Sequence, residues 1–169
     1  MDISDYLSLA AIVISIISGV YAFFVHKNEC EREKKQATLD AFNILQEQVL
    51  DELNSCTPSD FKKIAQERRK AEYKPKYDHY RALLARIEHF AIGVTDDIYD
   101  FSTTDRLAAE HLIFLFQKVR PIIDAAREPA SGKKPYSEFE QLINKLLKAH
   151  PEIQEIITQK KKQEAQTHV

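Results

Sequence analysis

One pair of residues in this chain has the side-chain types and the spacing of a candidate catalytic pair. In "RLAAEH", Arg106 and His111 stand five positions apart in a segment predicted to be helical. On a regular helix this spacing separates the two side chains by about 140°, so one of them is expected to face the core. The chain has no P-loop, H-E-x-x-H, G-x-S-x-G or C-x-x-C motif, and with only 3 glycines it offers few backbone cradles for phosphate.

The pair matches R-x(4–6)-H and so resembles the signature of the HEPN ribonucleases, a family of all-α proteins. The resemblance implies that the arginine stabilises phosphate charge, that the histidine does acid–base work, that two copies meet across a dimer and that no metal is needed. The residue after the arginine is usually polar in that family, often Asn or Asp, and here it is Leu107. We therefore interpret Arg106 and His111 as structural residues and predict that the protein is not an enzyme. Ribonuclease activity is the alternative.

Composition restricts the class of protein further. The chain has 169 residues, of which 44% are hydrophobic and 30% charged, as in a globular protein. Its formal charge of −2 lacks the basic bias of nucleic-acid binders, so direct nucleic-acid binding is not predicted. The two cysteines, Cys30 and Cys56, form neither a disulfide framework nor a metal-ligand set. We predict no metal and no other cofactor.

The segment Tyr6–Val25 contains no charged residue. As a helix it is about 30 Å long, which is the thickness of a bilayer core. A cleaved signal peptide is the competing interpretation, but "MDISD" is acidic rather than basic and no good cleavage site follows. Lys and Arg follow the segment and none precedes it, so the positive-inside rule places the N-terminus outside and the rest in the cytoplasm. We predict an uncleaved, single-pass transmembrane helix.

Small residues share one face of this segment at a spacing of 3, 4, 3, 4, within an arc of about 100°. With the polar positions that continue it, this face consists of Ser4, Ser8, Ala11, Ser15, Ser18, Gly19, Ala22, His26 and Glu29. Small faces let helices approach closely in lipid, and serine hydroxyls bond across helices or line water. We therefore predict a helix-packing or pore-lining face in an oligomer. A plain anchor with incidental serines is the alternative.

The rest of the chain shows helical periodicity and no strand pattern, so the predicted fold is all-α. A transmembrane segment (1–25) continues into a long juxtamembrane helix (26–56), followed by a cytosolic helical bundle (57–160) and a charged tail (161–169).

Three helix starts in the bundle carry capping signals. Thr57 followed by Pro58 predicts one start. Capping boxes at Ser102–Asp105 and Ser137–Glu140 predict two more.

The whole architecture resembles the small membrane accessory proteins of type VI-B CRISPR systems, which have a divergent HEPN-like domain. The C-terminal half, "LLARIEHFAIGV" through "KPYSEFEQLI", also looks like a widespread group of single-span bacterial proteins. The first resemblance implies an octameric pore in the bacterial inner membrane that depolarises it, and so enhances antiphage defence by an RNA-guided, RNA-cutting effector. The implied partners are further copies of the chain, the lipid bilayer and, functionally, that effector. A membrane-tethered HEPN-type ribonuclease and a passive anchor that recruits a partner are the alternatives.

Overall fold

The computed structural model describes the backbone of residues 3–128 and 134–167, and the side chains of residues 12–128, 134–159 and 163. Over these residues it contains helices and no strand, which confirms the all-α prediction. The helices are α1 (Ile3–Leu45), α2 (Asp51–Ser55), α3 (Pro58–Glu67), α4 (Lys74–Thr95), α5 (Phe101–Arg127), α6 (Ser137–Ala149) and α7 (Pro151–Thr167). A π-helical turn, Gln46–Leu50, joins α1 to α2.

Helix α5 lies at the centre of the bundle and packs against α1, α3, α4 and α6. Its apolar residues recur at helical spacing, so a single side of the helix buries residues such as Leu112 and Phe116. The Phe116 ring meets the ring of Phe139 from α6 edge to face, with centroids 5.2 Å apart. The helix continues through Pro121. Burial of this one long face is what holds the other helices together.

Helix α1 extends well beyond the bundle. Residues 12–33 are exposed, apart from the half-buried Val25, and the first buried side chain is that of Thr38. Beyond Thr38 the apolar stripe of α1, the π-helical turn and α2 is buried against the bundle through Phe42, Leu45, Val49, Leu50 and Leu53. Within the π-helical turn the consecutive residues Val49 and Leu50 are both buried.

The path from α1 to α2 runs antiparallel to α4. Three polar pairs connect them in opposite sequence order: Lys34 with Asp97, Gln48 with Arg86, and Glu52 with His79. The last two pairs are 3.0 and 2.5 Å apart. The C-terminal end of α4 therefore lies where α1 leaves the bundle, and its N-terminal end lies at the opposite end of the molecule.

Helix α3 begins as the sequence predicts. Thr57 is the N-cap and Pro58 the first helical residue. The Thr57 hydroxyl accepts from the Asp60 backbone N–H at 3.3 Å, and the Asp60 carboxylate accepts from the Thr57 N–H at 2.9 Å. Hydrogen bonds from Thr57 lower the pKa of the Asp60 carboxyl.

The predicted capping box at Ser102–Asp105 is wrong, because α5 begins earlier. The carboxylate of Asp100 caps the helix and accepts from the Thr103 backbone N–H at 2.6 Å. The backbone N–H of Asp100 donates to the buried hydroxyl of Thr38 at 2.7 Å. Asp100 thus both caps α5 and joins it to α1, and a local sequence pattern cannot show the second contact.

The predicted capping box at Ser137 is also wrong. The N-cap of α6 is Tyr136, which has a left-handed backbone with φ of 61°. The Ser137 hydroxyl is buried and makes no hydrogen bond to any described residue. Instead Glu88 of α4 accepts from the backbone N–H groups of Glu138 and Phe139, at 3.1 and 2.7 Å. A carboxylate from a neighbouring helix thus satisfies the free donors at the start of α6.

We expect Glu88→Ala to lower the free energy of unfolding by about 1–3 kcal/mol, because two partly buried N–H groups lose a charged acceptor. Glu88→Gln retains one carbonyl acceptor and is expected to lose less. Denaturant unfolding of the full-length protein in detergent micelles measures both values. Glu155→Ala, at an exposed position in α7, is the control. The cap is refuted if Glu88→Ala is no less stable than this control.

Candidate functional site

Arg106 and His111 lie on the same wall of one surface cavity of about 960 Å³. Arg106 is exposed and His111 is half-buried, so the prediction that one of them faces the core is wrong. The core contacts the side of α5 that contains Ala108 and Leu112. The opposite side of α5 forms the cavity wall, and Arg106 and His111 lie at its two borders.

His111 is held by a contact with α2. Its Nε2 atom lies 2.9 Å from the side-chain nitrogen of Asn54. An amide nitrogen is a donor, so Nε2 is the acceptor in this contact. Lys118, two turns further along α5, donates to the Asn54 carbonyl oxygen at 2.9 Å. His111 and Lys118 thus connect the end of α2 to α5.

Arg106 makes no hydrogen bond or ion pair with the side chains that the structure describes. Its neighbour Leu107 is 45% exposed and contributes an apolar surface to the same wall. No group of three or more His, Cys, Asp or Glu side chains among the described residues is arranged to hold a metal ion. The cavity therefore presents one unpaired guanidinium beside an engaged imidazole.

A second histidine closes the opposite wall of the cavity. His150, between α6 and α7, has its Nε2 atom 2.8 Å from the Asp105 carboxylate and its Nδ1 atom 3.1 Å from the Glu152 carboxylate. Both carboxylates favour the protonated ring, and they raise the pKa of His150 above its ordinary value of 6.5, Asp105 contributing most. The resulting charged contact fastens the α6–α7 junction to the first turns of α5.

The sequence predictions missed Asn54, Asp105 and His150 as members of this cavity. His111 and Asn54 are 57 positions apart, and Asp105 and His150 are 45 apart, so only tertiary packing brings them together. Asp105 had a competing local interpretation as a capping residue. The single local signal for His150 is its place directly before Pro151, at a junction between helices.

The described part of the small-residue face on α1 has no contact with the bundle. Ser15, Ser18, Ala22, His26 and Glu29 are all exposed. Apart from Gly19, its two chain neighbours and the nearby backbone of α1 itself, no described atom lies within 4 Å of the place where a Cβ on Gly19 would be. The predictions for Ser4, Ser8 and Ala11 concern side chains outside the described residues.

Large apolar side chains surround the same part of α1 and are exposed. They are between 46% and 72% exposed and comprise Ile12, Val13, Ile14, Ile16, Ile17, Val20, Tyr21, Phe23 and Phe24. Across the residues that the structure describes, no helix combines the length and the apolar character needed to cross a membrane. The predicted span starts at Tyr6, and the side chains of residues 3–11 are not among those described.

The small-residue face and its polar continuation point away from the bundle. Glu29 and Thr38 are nine positions apart, which places them about 180° apart on a regular helix. Thr38 is buried against the start of α5, so Glu29 lies on the far side of α1. Further along this far side, Gln36 donates to the Asp40 carboxylate at 2.9 Å. Gln36 and Asp40 are also exposed, so the described residues on this side of α1 are not buried against the bundle.

A family model described as a domain of unknown function, DUF4760, matches residues 9–146. The match begins inside the apolar segment of α1 and ends in α6, so it takes in both the exposed helix and most of the bundle. No curated protein and no solved structure matches the chain.

We expect the stability of the protein to fall as pH rises through the raised pKa of His150. A histidine whose pKa is raised by folding stabilises the fold fully below its unfolded-state value, near 6.5, and this contribution is lost as pH rises through the folded-state value. The unfolding temperature of the wild-type protein should therefore decline more steeply above pH 6.5 than that of His150→Gln. His89→Gln, at an exposed position on α4, should keep the wild-type slope. Equal slopes for wild type and His150→Gln would contradict the contact.

Proposed function

We propose that this chain, which belongs to the DUF4760 family, is a single-pass membrane protein that assembles into a pore and depolarises the membrane. The observation that carries the proposal is the set of nine large apolar side chains exposed along the projecting part of α1. Each is worth on the order of 1 kcal/mol if its remaining exposed area leaves water. Their sum is comparable with the net stability of a domain, about 5–15 kcal/mol, so an apolar environment around α1 is strongly favoured.

Charge supports one orientation of α1 in the membrane. The apolar segment is followed by a basic stretch that contains Lys27, Arg32, Lys34 and Lys35. By the positive-inside rule this end is cytoplasmic, which places the N-terminus outside and the helical bundle in the cytoplasm. The family match from residue 9 supports treating the apolar helix and the bundle as one unit.

The geometry of α1 supports assembly through its small-residue face. Because Ser15 and Ser18 point away from the bundle, copies of α1 can approach one another there with their bundles on the outside. The polar residues His26, Glu29 and Glu33 continue this face beyond the apolar segment and would line the cytoplasmic mouth of a ring. An octamer follows only from the CRISPR resemblance, and the mass of the detergent-solubilised particle tests it.

The role in defence also rests on that resemblance. We propose that the pore acts in the bacterial inner membrane and enhances antiphage defence by an RNA-guided, RNA-cutting effector. Phage challenge of cells that carry the effector with and without this protein tests the coupling. Protection that is unchanged by the protein would remove the defence role and leave the pore proposal standing.

We expect the double variant Ser15→Leu, Ser18→Leu to insert in the membrane but to abolish depolarisation, because the added bulk prevents close approach and removes the hydroxyls. A voltage-sensitive dye in expressing cells measures depolarisation, and membrane fractionation measures insertion. Val20→Leu is the matched control, since it adds bulk at a position about 160° from Ser18 on the helix.

Two outcomes of activity assays would overturn this proposal. One is depolarisation by the serine double variant at the wild-type level. The other is full activity of a chain whose apolar segment is replaced by an unrelated transmembrane helix, since a passive anchor tolerates that exchange and a pore does not. A monomeric particle in detergent would likewise exclude a ring.

A tethered ribonuclease is the second candidate, because Arg106 and His111 line one cavity and the Arg106 guanidinium is unpaired there. On the pore proposal, we expect Arg106→Ala to depolarise as wild type does, and purified wild-type protein not to cleave RNA. RNA cleavage by wild type that is lost in Arg106→Ala would favour the ribonuclease. Arg120→Ala, at an exposed position on the same helix, controls for loss of positive charge.

A further inference from the structure

A second cavity, of about 620 Å³, lies near the N-terminal end of α4 and is lined by several positively charged side chains. It is formed by the turn after α3, the first turns of α4 and the last turns of α5. Its charged lining residues are Arg68, Arg69, Lys74, Asp78, Arg81 and Glu128. Its volume is in the range of cavities that bind small molecules.

Only part of this positive charge is neutralised by the chain itself. Arg68 is engaged, since it pairs with Glu128 and donates to the carbonyl oxygen of Ala65 at 2.8 Å. Arg69 and Lys74 are exposed and form no ion pair with a described residue. With Arg81 they leave three positive groups facing the single carboxylate of Asp78. Like charges held together repel one another, and an anion between them relieves the repulsion.

Two features position this charge before any ligand binds. The guanidinium carbon of Arg81 lies 5.9 Å from the centroid of the Tyr77 ring, which is buried. The Tyr136 hydroxyl donates to the Arg81 carbonyl oxygen at 3.2 Å and fixes this part of α4. The cavity also adjoins Lys74, the first residue of α4, where the positive end of the helix dipole adds to the side-chain charges.

The antiparallel packing of α1 and α4 places this cavity far from the projecting end of α1. Asp97, which pairs with Lys34, follows the C-terminal end of α4, whereas Lys74 begins the helix. The helix has 22 residues and is therefore about 33 Å long. On the proposed orientation the cavity opens to the cytoplasm beyond the reach of lipid headgroups, so a ligand reaches it from solution.

We infer that this cavity binds the phosphate groups of a soluble nucleotide or of a nucleic-acid backbone. Arginine pairs bidentately with phosphate oxygens and lysine adds a compact charge, so Arg69, Arg81 and Lys74 form a suitable donor set. The location relative to the membrane rests on the proposed function, but the binding chemistry does not.

Titration calorimetry on the full-length protein in detergent micelles tests the inference, with tripolyphosphate, a nucleoside triphosphate and a short single-stranded RNA as probes. We expect saturable binding of at least one probe that weakens with added salt. Arg69→Gln and Arg81→Gln should each weaken it at least about tenfold, since each removes a charge-assisted contact. Arg120→Gln, which lies outside the cavity, should bind as wild type does.

The probes separate the two sources of phosphate. Comparable affinity for triphosphate and RNA points to a nucleotide, and much tighter binding of RNA points to a nucleic-acid backbone. The inference is overturned if wild type binds no probe, or if Arg69→Gln binds as wild type does. Arg69 is exposed, so this variant is expected to fold normally. None of these outcomes depends on depolarisation, so failure here is distinguishable from failure of the pore.

Discussion

The structure depends on one helix that meets two different environments. From Thr38 onward the α1 helix buries a single apolar stripe against the bundle, as an amphipathic helix does in water. From residue 12 to Glu33 none of its side chains is buried, and its large apolar side chains are exposed all round. The hydrophobic effect cannot leave such a surface in water without a large loss of free energy.

Polar contacts between distant segments determine how the bundle is held at its ends. The Thr38 hydroxyl accepts a hydrogen bond from the Asp100 backbone N–H at the start of α5. Glu88 caps α6, and His150 joins the α6–α7 junction to Asp105. The first two contacts satisfy backbone N–H groups at a helix start that would otherwise lack partners. The third is an ion pair between side chains, and both of its members line the cavity that contains Arg106 and His111.

The sequence predicts the helical class and the capped start at Thr57, because these depend on periodicity and on neighbours within one turn. It fails at Ser102–Asp105, because α5 begins earlier, with Asp100 as its cap. It also fails at Ser137, where Glu88 of another helix replaces the local cap. For the same reason it cannot show that Arg106 and His111 share a cavity wall. Their separation of about 140° on a helix predicts that one faces the core and the other faces solvent. In the structure both border the exposed side of α5, and the core contacts the side that contains Ala108 and Leu112.

The length of α1 has a mechanical consequence. Its 43 residues form one continuous α-helix without proline, and hydrogen bonds between successive turns make such a rod stiff in torsion. If its N-terminal half turns about the helix axis, Thr38 must turn by nearly the same angle and take the start of α5 with it. The π-helical turn at Gln46–Leu50 is the first place where twist can be absorbed. A rotation of the small-residue face about the axis of α1 would therefore be transmitted to the bundle at the start of α5.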